Sequence, residues 1–225
     1  PQPQTERVGQ LLGDGASYCD SAVLVAGWLS GFAGDGVGGD NRPLVFFPGD
    51  EVLLVCTDDP QVAPAFFDAA ERVYRDADIP ISPQAYTIVG ERIVPCDAAG
   101  PGPVRPWAMR ARSVLAATEY EAQAERLLRD HADRLTADVG SVQLIDTPAG
   151  VRTLTAWRQG SPWLLPRTDY VLVAGPDEQF VVPFGVLADV VGLIAGHELL
   201  PPRCAVTRWP SAEEMAALRA HAVSF

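Results

Sequence analysis

At 225 residues, with 48% hydrophobic and 20% charged residues, the chain is long enough for one large or two small domains and too apolar to be disordered. Its net charge of −12 repels phosphate backbones and anionic lipid, which argues against nucleic acid and membrane surfaces and suits either solubility or a basic protein partner. All 17 basic residues are arginine, which excludes lysine Schiff-base chemistry and a phosphate loop ending in Gly-Lys-Ser/Thr.

The absence of lysine fits the codon bias of a GC-rich bacterial genome. No stretch approaches the roughly eighteen uncharged apolar residues of a membrane helix. The opening Pro1-Gln-Pro-Gln-Thr-Glu6 lacks the basic and apolar regions of a signal peptide, so a cytoplasmic location is expected.

In chain order, residues 5–13 read as a short helix with Val8, Leu11 and Leu12 on one side and Gly13 ending it. The apolar run 22–28 has the length and branching of a buried strand. Residues 31–42 are glycine-rich loop. Segments 44–47 and 51–56 read as strands around Pro48-Gly49-Asp50. An amphipathic helix is expected over 64–77, with Phe66, Ala69, Ala70, Val73 and Ala77 inward and the pairs Asp68–Arg72 and Glu71–Arg75 outward. After an extended exit at 79–83, 85–89 and 92–94 form a hairpin about Gly90-Glu91.

Residues 98–112 are a Pro/Gly-rich linker dividing a first half (1–97) from a second (113–225). The second half opens on a helix capped by Thr118-Glu-Tyr-Glu121, with Ala124, Leu127, Leu128, His131 and Leu135 as its buried stripe. A hairpin follows, 141–146 with 151–157, then strands at 163–165, 170–174 and 179–182. Next come a buried helix at 183–195, a strand at 204–207, and a helix opened by a second capping box, Ser211-Ala-Glu-Glu214.

Displacing the chain by 119 positions sets Pro43, Asp50, Val52, Leu53, Asp58, Val62, Pro64, Ala69 and Pro83 on identical residues without a gap, so 43–83 and 162–202 read as a repeat. The expected fold is α+β: two tandem, structurally related halves, each a mostly antiparallel sheet with flanking helices, in a pseudo-twofold arrangement. The Ile145-Asp-Thr-Pro-Ala-Gly150 hairpin and the two-half layout resemble chaperones of bacterial secretion systems; likeness of architecture does not give function.

No assembled chemistry emerges from the motifs. Gly34, Gly36 and Gly39 spell G-x-G-x-x-G, but a strand follows in place of the required helix, and Asp35 and Asp40 would repel phosphate. Cys19, Cys56, Cys96 and Cys204 form no C-x-x-C pair and read as reduced, buried thiols without metal. His197-Glu198 and His131 read as structural, and His221 is uninformative. Asp58-Asp59 and Asp177-Glu178 read as turn formers ahead of helices. Trp28, Trp107, Trp157, Trp163 and Trp209 sit mostly at element ends, and core packing is their default use.

These features point to a non-catalytic adaptor or chaperone-like protein that binds another protein, with no cofactor; a homo-oligomer is compatible. The rival is an enzyme or small-ligand sensor at the junction of the halves, using Asp40, Arg42, Asp177 and His197. The binding candidates are Phe32, Asp35, Val37, Asp40 and Arg42, on a loop inserted into the first copy of the repeat, where insertions map to binding faces.

Overall fold

The computed structural model describes residues 42–225, apart from residues 51, 91, 132–135, 195, 197 and 198. The elements expected at 5–13 and 22–28 and nearly all of the glycine-rich loop lie outside the described residues. The chain forms two compact units that divide between Leu115 and Ala116.

In the first unit, β1 (Pro43–Gly49) and β2 (Val52–Thr57) make the expected antiparallel pair, Leu44 opposite Cys56 and Phe46 opposite Leu54. Helix α1 (Ala63–Asp76) begins with Pro64 in its first turn, where a missing N–H leaves no bond unmade. Strand β3 (Pro80–Val89) returns antiparallel to β1 and turns into β4 (Arg92–Pro95), giving the order β2-β1-β3-β4.

The buried face of α1 is Ala63, Phe67, Ala70 and Tyr74, about one residue round from the expected stripe. The Phe67 ring meets Phe46 edge-on at 5.0 Å, and this aromatic contact sets the rotation. Glu71 pairs with Arg75 one turn on, as expected, and also accepts two hydrogen bonds from Arg110 at 2.8 and 2.9 Å.

Helix α2 (Arg105–His131) corrects the linker. Turns run only to Val104, and residues 105–112 are already helical. Pro106 suits a first turn, and Val104, Ala108 and Ala111 pack on Leu44, Phe46 and Phe67, so apolar burial carries the helix through the Thr118 capping box. Further along, Tyr120, Gln123 and Leu127 are buried while Leu128 and His131 are exposed. The polar groups of Tyr120 and Gln123, bonded to the carbonyls of Pro202 and Pro201, turn the stripe away from that expected.

In the second unit, the short β5 (Asp138–Val139) is followed by the hairpin β6 (Gln143–Thr147) and β7 (Gly150–Arg158). Its turn uses Gly150 at φ +96°, a conformation that suits glycine. Then come β8 (Trp163–Pro166), β9 (Tyr170–Ala174), β10 (Gln179–Pro183), α3 (Phe184–Val191), β11 (Arg203–Val206) and α4 (Ala212–Ala220). Helix α3 stops short of residue 195 because Gly192 takes the left-handed conformation, its N–H returning to the Ala188 carbonyl. The sheet orders are β10-β9-β7-β6 and β11-β8-β5. Helices α3 and α4 bury Phe184, Leu187, Met215 and Leu218 in one core with Trp157, Val171 and Val173.

The chain is therefore α+β, with four helices and three mostly antiparallel sheets among the described residues. The order strand, strand, helix, strand recurs after Pro43 and after Pro162, with one further strand, β10, in the second copy. The antiparallel pair β1–β3 has its counterpart in β8–β11. The hairpin β1–β2 has none, because both edges of β9 are taken by β7 and β10.

Candidate functional site

Of the five residues expected to bind a partner, Phe32, Asp35, Val37 and Asp40 lie outside the described residues. Arg42 is described, at the entry to β1. Its backbone N–H and its Nε both donate to the Asp58 carboxylate, at 2.7 and 2.8 Å, and Nη1 reaches the Ala99 carbonyl at 3.4 Å. Asp58 is buried. The pair thus closes the ends of β1 and β2, and the arginine's charge is already engaged. Asp58 and Asp177 match in the repeat but differ in use: Asp177 is exposed, and its neighbour Glu178 pairs with Arg219 on α4.

Cys56, Cys96 and Cys204 are free thiols. Burial pushes Cys56 up to about 12, with Cys96 and then Asp58 adding to the rise. Burial likewise pushes Cys96 up to about 11 and raises Cys204. These groups stay protonated near neutral pH and make poor nucleophiles. His197 and Glu198 lie outside the described residues, and His221 faces the Ala217 carbonyl at 3.0 Å. No group of three or more His, Cys, Asp or Glu poised for a metal occurs among the described residues, and no described helix is long and apolar enough to cross a membrane.

Two adjoining clefts lie in the second unit, around a tryptophan that the sequence analysis gives to core packing. Trp209, half-buried, leans on the buried Trp157 at 4.9 Å between ring centres. On one side is an open cleft of about 500 Å³, lined by Pro176, Asp177 and Met215 among others. On the other is a cleft of about 290 Å³ reaching Pro162 and Arg208. Both share Gln159 and Trp209, so they form one groove with the indole in its wall.

Stable elements hold this groove. Ser211 caps α4: its hydroxyl accepts from the Glu214 N–H, and Glu214 accepts from the Ser211 N–H. Arg208 donates twice to Glu214, at 2.7 Å each. These bonds, Arg208 first and the Ser211 N–H second, hold the Glu214 carboxyl down at about 2. Across the groove, Arg219 donates to Glu178 through Nε at 3.0 Å and Nη2 at 2.5 Å. Asp177 has no salt-bridge partner among the described residues, so the rim carries one surplus negative charge. Pro162, Pro176 and Pro210 contribute to its walls, and no local pattern in the sequence marks the site.

The two clefts open to solvent on either side of one aromatic wall, an arrangement suited to an extended chain. In comparisons with protein-family models, with curated proteins and with solved structures, nothing matches this chain.

Proposed function

We propose that the chain is a cytoplasmic bacterial adaptor that holds a proline-containing, basic segment of another protein in the groove beside Trp209. The observation that carries this reading is the shared wall: one indole, flanked by two adjoining clefts and backed by a buried second indole. A polyproline segment is extended before it binds, loses little entropy, and stacks its rings on aromatic faces. The Asp177 carboxylate at the rim, without a salt-bridge partner among the described residues, favours arginine or lysine in that segment, as does the overall charge of −12.

The test is a titration of the full chain, followed by tryptophan fluorescence, with proline-rich peptides that carry or lack arginine. The arginine-bearing peptide should bind more tightly. Trp209→Ala should weaken both peptides tenfold or more, and Asp177→Asn should remove the preference for arginine. No response up to about 1 mM peptide, the weak end of specific recognition, rejects the reading.

A further inference from the structure

The four-stranded sheet β10-β9-β7-β6 has a second face that the groove does not use. Successive strand residues point to opposite sides. Along β7, Thr153, Thr155 and Trp157 are buried on the side where α3 and α4 pack. The alternate residues Arg152, Leu154, Ala156 and Arg158 stand on the other side. The register carries that side across the sheet: Leu154 lies opposite Tyr170, Ala156 opposite Leu172, Leu172 opposite Val181, and Arg152 opposite Ile145. The result is an apolar band of Ile145, Leu154, Ala156, Tyr170, Leu172 and Val181, all half-buried.

Two observations indicate that this face is built to be covered. The usual alternation is inverted on β7, with threonines turned in and leucine and alanine turned out, whereas a solvated sheet face carries polar residues. The central pair β7–β9 is parallel, and sheets built wholly of such pairs are covered on both faces by helices. Helices α3 and α4 occupy the opposite face, and the buried side of α2 faces Pro201, Pro202 and Arg203 instead. The C-terminal residues cover one margin only: Val223 bridges to Val181, and the Phe225 ring meets Tyr170 edge-on at 4.8 Å, leaving Ile145, Leu154, Ala156 and Leu172 for the partner.

Charge indicates what covers it. The outward charges on these strands are Arg152 and Arg158, near the two ends of β7, and neither makes a salt bridge among the described residues. Six residue steps along the strand set them about 20 Å apart, the length of about 13 residues of α-helix. A second copy presenting the same face would bring arginines against arginines.

We propose that this face receives an acidic amphipathic helix of a partner protein, with its apolar stripe along β7 and β9 and carboxylates about 13 residues apart meeting Arg152 and Arg158. The surface is separate from the Trp209 groove, and together they would let the chain join two partners of opposite charge.

The test uses the full chain and two labelled helical peptides, each with a leucine stripe. One carries glutamates at the stated spacing and the other lysines. Fluorescence anisotropy should show the acidic peptide binding at least tenfold more tightly. The double variant Arg152→Glu/Arg158→Glu should reverse that order, while Trp209→Ala leaves it unchanged. The reversal needs a folded sheet, so misfolding cannot imitate it. A photo-crosslinking residue in place of Leu154 should capture the acidic peptide. Equal binding of both peptides, no binding up to about 1 mM, or crosslinking only within the chain or to a second copy would overturn the proposal.

Discussion

The guanidinium of Arg203 lies 5.1 Å from the centre of the Tyr120 ring and donates to the Tyr120 carbonyl at 3.0 Å. One side chain thus grips both the ring and the backbone of a residue on another element. Its remaining donors reach the carbonyls of Gly140 and Leu164 and the amide oxygen of Gln123. Every one of these acceptors is neutral, and Arg203 is 1% exposed. Burial pulls its pKa down to about 10, opposed by Tyr120. The cation is kept by hydrogen bonding, since no carboxylate among these partners compensates it.

Removing that fork should leave several buried acceptors unsatisfied. Arg203→Met is expected to destabilise the protein by about 3 kcal/mol or more. Arg203→Lys should also cost at least about 1 kcal/mol, because an ammonium cannot span acceptors arranged for a planar fork. Urea denaturation checks both. A lysine variant as stable as the wild type would show that charge alone matters here.

Arg42 should behave as a structural residue. Arg42→Ala strips the buried Asp58 of its cation and is expected to cost about 2 kcal/mol in thermal or urea unfolding. Replacing residues 31–41 with a short Gly-Ser link while keeping Arg42 should change stability little. Loss of partner recovery on that replacement would support a binding role for Phe32, Asp35, Val37 and Asp40. A stable Arg42→Ala variant would return Arg42 to the same role.

The start of α4 should loosen in acid. Glu214 is held at about 2 in the folded chain against 4.5 for a free glutamate. The folded state therefore binds fewer protons than the unfolded state between those values, and the stabilisation is complete above 4.5 and lost as pH falls towards 2. The stability gap between wild type and Glu214→Gln should be open at pH 7 and narrow progressively below pH 4.5. A gap independent of pH would contradict this.

Thr155 offers a gain. Its buried Oγ1 has no hydrogen-bond partner among the described residues. Thr155→Val keeps the shape and removes an unsatisfied group, so stability should rise by about 1 kcal/mol. Gly140 nearby has no such freedom: a Cβ there would stand 2.7 Å from Pro166 and 3.1 Å from the Thr155 hydroxyl. Gly140→Ala should therefore destabilise in the same assay.

Local chemistry made much of the fold legible in the sequence. The Ser211–Glu214 box caps α4, Pro64 opens α1, and Gly150 turns the β6–β7 hairpin, each through contacts within a few residues. The failures came where distant residues decide. Thr118 looks like a cap but lies inside α2, whose start is fixed by packing of Ala108 and Ala111 on the β1 sheet. Pairing of β9 with β7 instead of β8 is likewise invisible to a repeat of prolines and aspartates. The Trp209 groove escaped notice because its walls come from segments far apart in the chain, and a lone tryptophan reads as core.

The parallel seam between β7 and β9 also bears on how the second unit comes together. Hairpins β6–β7 and β9–β10 are local and can each close within microseconds. The seam joining them must wait for the intervening β8 to cross into the other sheet, where it pairs with β11 from beyond α3. Folding speed is then governed by that late, non-local closure. Substitutions in the β6–β7 turn, which closes ahead of the seam, should therefore slow folding with little effect on unfolding, whereas those at Leu172 or Ala156 on the seam should be divided between slower folding and faster unfolding.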